Sequence, residues 1–447
     1  MDQYSKFVFD SFAFDQDEAY LEFRYSLDGE IPFLESLSLP GGMEFQQTPL
    51  ALIDRSLFAL HMIAGTSYYK SYCPKQMEIR SGLLTNKHAD FWNKVYENGL
   101  MEFFYKNKLN PEGVINFPTT TENDYLEPLE RPFTPGKVLV PIGGGKDSIV
   151  TIEILKKAGF DITLMRLGSH PLIDALVEEL NLPCLTVDRS LSEKLFDLND
   201  LGAMNGHVPI TAYISFLNVF MALIYGFESI VMSNERSADE GNLQQWGRTV
   251  NHQWSKGWQC EQLLSTYIEH FITPDIKYFS LLRHLSELGV VRYFSKLPQY
   301  FSKVTSCNKN WKILQERSES RWCCECSKCA STFALFAAYI PKEQLIEIFG
   351  QNIFEDHTQG ILYRQLLGLA GNKPFECVGT TDEMRAAFIL AHEQGDFDDT
   401  PVMQMFLKEV LPQIKDPDKL KKKEISPASE HGIPEEFLTA LHAPEGS

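Results

Sequence analysis

Val138–Ser148, VLVPIGGGKDS, is the stretch from which the rest of the chain is read. Four apolar positions and a proline are followed by three glycines, a lysine, an aspartate and a serine. That order predicts a strand running straight into a phosphate loop. Glycines let backbone N–H groups approach an anion closely, and a following helix aims the positive end of its dipole at the same point. Apolar spacing over Ile149–Ala158 predicts that helix. The spacing is neither GxxxxGK[ST] nor GxGxxG, so it is not a Walker loop or a dinucleotide fingerprint. On this reading the amides of Gly143, Gly144 and Gly145 and the Ser148 hydroxyl hold a phosphate. Lys146 neutralises its charge, and Asp147 orients the loop or a magnesium ion. A tight turn without chemistry is the alternative, but it does not explain why strand, glycines, acid, hydroxyl and helix fall in order.

Downstream, strand and helix patterns alternate: Asp161–Leu167, a helix over Pro171–Leu180, a strand at Cys184–Val187, an apolar helix over Thr211–Tyr225 and a buried strand at Ser229–Met232. That alternation predicts an α/β fold with a doubly wound parallel sheet and crossover helices over residues 137–262. In such sheets ligands bind beyond the carboxyl ends of the strands, so the loops after Ile142, Leu167 and Met232 should converge. Upstream, Phe7–Leu39 alternates apolar and polar residues around Asp28-Gly29, a hairpin signal, and predicts a small antiparallel sheet. Helical spacing follows over Pro49–Tyr69 and Asn86–Tyr105, giving an α+β N-terminal domain over residues 1–116. Residues 117–136, with Pro118, Pro128, Pro132 and Pro135, read as a linker. Residues 263–414 read as a helical C-terminal region with a cysteine cluster. The tail, 415–447, reads as frayed or as one short helix at Glu435–Leu441.

A chain of 447 residues with 44% hydrophobic content supports two or three domains with cores. The net charge of −19 argues against a broad nucleic-acid surface. With neither a leader pattern nor a run of bilayer length, the expectation is a soluble cytoplasmic protein with no nucleic-acid or membrane partner. Nothing in the sequence specifies an oligomeric state.

Behind the Ser229–Met232 strand lies SNERSADEGNLQQWGRTVNHQWSK, Ser233–Lys256. Its position brings Glu235, Arg236, Asn242, His252 and Lys256 toward the ligand edge. His252 and Lys256, four apart, would share a helix face, and a base working near neutral pH can come from this set. A solvated loop is the competing reading. Asn205-Gly206-His207 either faces the same site or caps a helix. The run WCCECSKC places Cys323, Cys326 and Cys329 at CxxCxxC spacing, with Cys307 upstream. Four thiolates suit a structural zinc, with an iron–sulfur cluster or unligated thiols as alternatives. Cys73, Cys184, Cys260 and Cys377 read as core.

The glycine loop resembles the PP-loop, SGGxDS, of the ATP pyrophosphatase superfamily, with Gly143 where that family most often has serine. The resemblance implies a PP-loop (HUP-type) fold, cleavage of ATP between its α and β phosphates, and transfer of AMP to a substrate oxygen. VPIGGGKDS, NGHVPITA, SNERSADEGN, VNHQWSK, the SCN around Cys307, WCCECSKC and ECVGTTDE, in that order over Val140–Glu383, narrow the likeness. They resemble the UDP-N-acetylmuramoyl-L-alanyl-L-glutamate epimerase family. That resemblance implies inversion of the terminal L-glutamate of a UDP-linked muramoyl dipeptide, with ATP consumed to AMP and pyrophosphate and Mg2+ as cofactor. It makes Asp147, Lys146, Glu235 and His252 catalytic candidates. Arg236, Asn242, Arg248 and Lys256 become substrate-binding candidates, and Cys307, Cys323, Cys326 and Cys329 zinc ligands. Rival readings are a PP-loop epimerase of another peptide, a tRNA- or nucleobase-modifying PP-loop enzyme, and a non-catalytic nucleotide sensor.

Overall fold

The computed structural model describes residues 3–41, 45–121, 129–311 and 320–442. The strands are β1 (Lys6–Asp15), β2 (Tyr20–Leu27), β3 (Ile31–Ser38), β4 (Gln76–Ile79), β5 (Thr134–Pro141), β6 (Asp161–Leu167), β7 (Cys184–Ser190), β8 (Phe227–Met232), β9 (Leu243–Gln245), β10 (Arg248–Val250) and β11 (Lys277–Ser280). Nine of them form one sheet in the order β11-β8-β5-β6-β7-β3-β2-β1-β4, while β9 and β10 make a separate hairpin. From β11 to β7 every neighbour is parallel. From β7 to β1 every neighbour is antiparallel, and β4 closes the edge parallel to β1.

Side chains of β5 alternate between the two faces of the sheet, as the pleat requires. Val138 and Val140 join a core with the Lys146–Lys157 helix, whereas Leu139 joins the core built on the Ile210–Tyr225 helix. Both faces are therefore covered, which is why the parallel strands read as continuous apolar runs. Strands β6 and β7 lie on one side of β5, and β8 and β11 on the other. The chain thus reverses direction across the sheet at β5 and β8, and a crevice opens there beyond the strand ends.

Four expectations change. The N-terminal antiparallel strands are not a separate sheet, because β3 pairs with β7 over Ser36–Ser38. That short seam is held by Glu35, fully buried, which accepts from Arg189 Nε and Nη2 at 2.9 and 3.0 Å and from the hydroxyls of Tyr68 and Tyr213. The sheet therefore runs across the expected linker at 117–136, of which residues 122–128 lie outside the described residues. The region past Gln262 is not purely helical, since β11 extends the sheet beside β8. Between His252 and Lys256 there is one 3-10 turn, Trp254–Lys256, instead of a helix. The tail is not frayed up to residue 442. Helices Pro417–Ile425 and Glu435–His442 dock on the body, with Phe437 buried against Phe160 and Phe279. The last five residues, 443–447, lie outside the described residues.

Candidate active site

The glycine loop leaves β5 and enters the Lys146–Lys157 helix at Gly145. Gly144 sits at φ +83, and a Cβ there would lie 2.8 Å from Trp311 Cη2. Its carbonyl accepts from Thr305 N at 3.1 Å, which ties the loop to the 305–311 segment. Gly143, by contrast, has open space where a side chain would start, so nothing steric excludes the serine of the PP-loop pattern. The first turn of the helix leaves N–H groups without intrahelical acceptors, aimed into the crevice. Ser148 Oγ donates to Gly145 O at 3.2 Å and lines the same space.

Lys146 turns inward and is buried. Its ammonium lies 2.7 Å from Asp147 Oδ1 and 3.0 Å from Glu287 Oε1. The same Glu287 oxygen accepts from Lys328 at 3.0 Å. Burial works to raise the Glu287 carboxyl, but Lys146 and Lys328 outweigh it and hold the group well below the ordinary carboxylate range.

From the end of β8 the chain delivers Asn234 and Glu235 to the crevice. Burial, then the charges of Asp147 and Glu287, push the Glu235 carboxyl up to about 7, against the pull of Lys256 and Lys146. Lys256 comes from the 3-10 turn, whose carbonyl is fixed by Arg283 Nη2 at 2.5 Å. Its Nζ lies 3.3 Å from Cys377 Sγ. Cys377 first raises the Lys256 ammonium above its usual range; burial opposes this, and Glu235 and Asp147 add to the rise. The resulting cleft, about 280 Å³, is walled by the glycine loop, Glu235, Lys256, Lys328, Cys377 and the Thr305–Asn308 segment.

Behind Cys377 stands His252, whose Nδ1 meets Glu102 Oε2 at 2.5 Å. Burial lowers the His252 pKa, but Cys377 and Glu102 more than compensate and bring it up to about 9. His207 packs on His252 with ring centroids 4.6 Å apart, and burial, then His252, depress it to about 4. One imidazolium, not two, is therefore held beside Glu102 near neutral pH.

Not every sequence candidate reaches the cleft. Arg236 faces a separate depression of about 470 Å³ and spends its guanidinium on the carbonyls of Lys423, Glu424 and Ser426. Arg248 pairs with Glu97 at 2.8 Å. Asn242 donates to Pro374 O at 2.6 Å and accepts from His252 N at 2.8 Å, so it braces the two segments that carry His252 and Cys377. Lys328, Glu287 and Cys377 were not among the sequence candidates. Lys328 is hidden inside the CxxCxxC run, and Cys377 reads as core although it sits in ECVGTTDE. Glu376 places both: its carboxylate accepts from Ser327 Oγ at 2.6 Å and Lys328 N at 3.1 Å.

Cys307, Cys323, Cys326 and Cys329 bring their sulfurs within 4.8 Å of one another. Two of the separations are 3.5 and 3.8 Å, close to the edge of about 3.8 Å that a zinc–thiolate bond of about 2.3 Å gives a tetrahedron. Cys324 turns away and donates to Phe349 O at 3.3 Å. The residues present fit one tetrahedral soft cation.

The sheet, its crevice and the cluster of buried acids and lysines define an α/β protein with a candidate site beyond the strand carboxyl ends. Comparison with known families matches the MurL N-terminal domain over residues 1–281 and the MurL C-terminal domain over residues 303–421. The chain is 38% identical over 440 residues to a UDP-N-acetyl-alpha-D-muramoyl-L-alanyl-L-glutamate epimerase of Xanthomonas oryzae pv. oryzae, covering 97% of this chain and 96% of that one. It is 37% identical to proteins of the same name from Micromonospora sp., over 97% of both chains, and Salinispora tropica, over 90% of this chain and 88% of the other. The chain belongs to the MurL epimerase family and is an enzyme of the isomerase class.

Proposed function

We propose that this enzyme converts UDP-N-acetylmuramoyl-L-Ala-L-Glu to its L-Ala-D-Glu epimer in peptidoglycan biosynthesis, activating the terminal α-carboxylate with ATP and releasing AMP and pyrophosphate. The carrying observation is the convergence in one cleft of a glycine loop at a helix N-terminus, Lys256 and Lys328 on its wall, Lys146 buried behind it, and a carboxyl poised near neutrality. Taking the α-proton from a free carboxylate would put a second negative charge beside the first. Adenylation removes the standing charge and lets the carbonyl delocalise the new one.

In this scheme the amides of Gly143–Gly145 and the Ser148 hydroxyl hold the departing pyrophosphate, and Lys146, buried behind the loop, adds positive charge. Ser306 lines the cleft beside Gly145 and supplies the hydroxyl that Gly143 lacks. Asp147 is the one loop carboxylate placed to hold magnesium, which contributes positive charge at the phosphates. Lys256 and Lys328 face the substrate's anionic groups. Glu235 exchanges a proton at the α-carbon, and His252 reaches the cleft only through Cys377. Asn242, Arg236 and Arg248 position the segments around the site. Cys307, Cys323, Cys326 and Cys329 would hold zinc, which would tie the Thr305–Asn308 segment to the Ser327–Ala337 helix and so keep Ser306 and Lys328 at the cleft. The nucleotide-linked substrate puts the reaction in the cytoplasm.

The test is incubation with ATP, magnesium and the UDP-muramoyl-L-Ala-L-Glu dipeptide in deuterated water. Deuterium at the glutamate α-carbon with stoichiometric AMP is the expected result. Folded protein that yields neither D-glutamate nor pyrophosphate refutes the proposal.

A further inference from the structure

Epimerisation through a planar carbanion requires a proton to leave one face and another to arrive on the opposite face. Glu235 supplies one titrating group in the cleft. A second, absent from the sequence candidates, stands on the same cation. Cys377 lines the cleft with its sulfur 3.3 Å from Lys256 Nζ, and the positive charge of His252 also acts on that sulfur. His252 is itself anchored on Glu102, and its backbone is anchored on Asn242.

This is not how the other unligated cysteines are built. Burial pushes the thiols of Cys73 and Cys324 up to about 12, as expected for an inert core sulfhydryl. Burial acts on Cys377 too, but Lys256, His252 and Lys328 overcome it and bring the thiol down to about 6. One ammonium, Lys256, touches the sulfur, and two further cations, His252 on the same segment and Lys328 on another, act on it electrostatically. A packing role needs none of them.

We propose that Cys377, as its thiolate, exchanges the substrate α-proton on one face of the carbanion while Glu235 serves the other. This rests on the activity proposed above. In the L-to-D direction the Cα–H bond breaks, an S–H bond forms on Cys377, and the electron pair moves into the carbonyl of the activated carboxyl. The protonated Glu235 carboxyl then gives its proton to the opposite face, forming the new C–H bond and leaving a carboxylate. Proton exchange with water returns the thiol and the carboxylate to their starting states. Lys256, shared by both groups, stabilises the negative charge as it passes between them.

The assignment is tested first on the free protein, by following iodoacetamide alkylation of each cysteine by mass spectrometry across pH. Cys377 is expected to react half-maximally near pH 6, where an ordinary thiol waits until about 8.5, and Lys256→Met is expected to move that midpoint upward. Cys377→Ser and Cys377→Ala are then assayed with ATP, magnesium and dipeptide in deuterated water. Both should still release pyrophosphate, which shows an intact fold and loop, while α-deuteration falls by about 100-fold or more. Deuteration at the wild-type rate in Cys377→Ala, or alkylation at Cys377 with the pH profile of an ordinary thiol, overturns the assignment. A wild-type protein that releases no pyrophosphate overturns the underlying activity, and differs visibly from the case in which wild type and Cys377→Ala both turn over.

Discussion

Glu287→Gln isolates the electrostatics of the cleft, because the amide fills the volume of the carboxylate and leaves no cavity. Glu287 is buried at the start of the Glu287–Phe294 helix, and one of its oxygens accepts from both Lys146 and Lys328 at 3.0 Å. At that distance each attraction is on the order of 5 kcal/mol for an effective dielectric of about 20. Desolvation offsets much of it, so that breaking a buried pair costs about 3–5 kcal/mol net. Lys146 keeps Asp147 at 2.7 Å, so the loss falls mainly on Lys328, and the lower end, about 3 kcal/mol, is expected. Urea unfolding followed by tryptophan fluorescence measures it. The pH dependence supplies the sign. The folded-state pKa of Glu287 is depressed below the ordinary 4.5, so its stabilisation is complete above 4.5 and is lost as pH falls through the lower folded value. The variant should therefore lose part of the acid limb of the stability profile. A loss below about 1 kcal/mol at pH 7, or an unchanged acid limb, refutes the view that this carboxylate holds the two lysines in place.

Gly144→Ala forces a side chain into left-handed backbone and against Trp311, so a loss of about 1–3 kcal/mol is expected together with weaker ATP binding, read by calorimetry. Glu235→Gln acts in the opposite sense on stability. Between pH 4.5 and about 7 the folded wild type keeps a proton that the unfolded chain has released, so its stability falls as pH rises, and the variant should flatten that fall. The Cys307, Cys323, Cys326 and Cys329 cluster should carry about one zinc per chain by metal analysis, and a strong chelator should lower the unfolding temperature, an effect absent in Cys329→Ser.

The parallel half of the sheet is legible because its strands are buried on both faces and each is followed by a helix, so the pattern survives in local sequence. The seam between β3 and β7 is not. It rests on three residue pairs and on Glu35 meeting Arg189, partners 154 positions apart with no local signature. Strand β11, four residues long, falls below any periodicity. In the site, Glu235 and Lys256 are legible from their place after β8, but Arg236 is not separable from them, because adjacent residues on a 3-10 turn face different cavities. Lys328 and Cys377 are masked by stronger neighbours, the zinc-type thiols in one case and an apolar context in the other. Only the fold brings Lys256 onto Cys377 across 121 positions.

A chain of net charge −19 repels the polyanionic substrate proposed above, yet its cleft is walled by Lys256 and Lys328, with Lys146 buried behind the loop. Each lysine is already countered by an internal anion, Asp147, Glu287 or Cys377, so the cleft's own charges are close to balanced. A bound polyanion then favours proton uptake on a carboxylate beside those pairs, and Glu235, poised at about 7, is the group nearest to taking one. An incoming negative charge raises that pKa further. On the proposed mechanism, substrate binding loads onto Glu235 the proton that the inversion would have to deliver. Binding above pH 7 should be accompanied by net proton uptake, measured as a dependence of the calorimetric enthalpy on buffer ionisation enthalpy. That uptake should vanish in Glu235→Gln; uptake of equal size in the variant would place the proton elsewhere and break the link between binding and proton delivery.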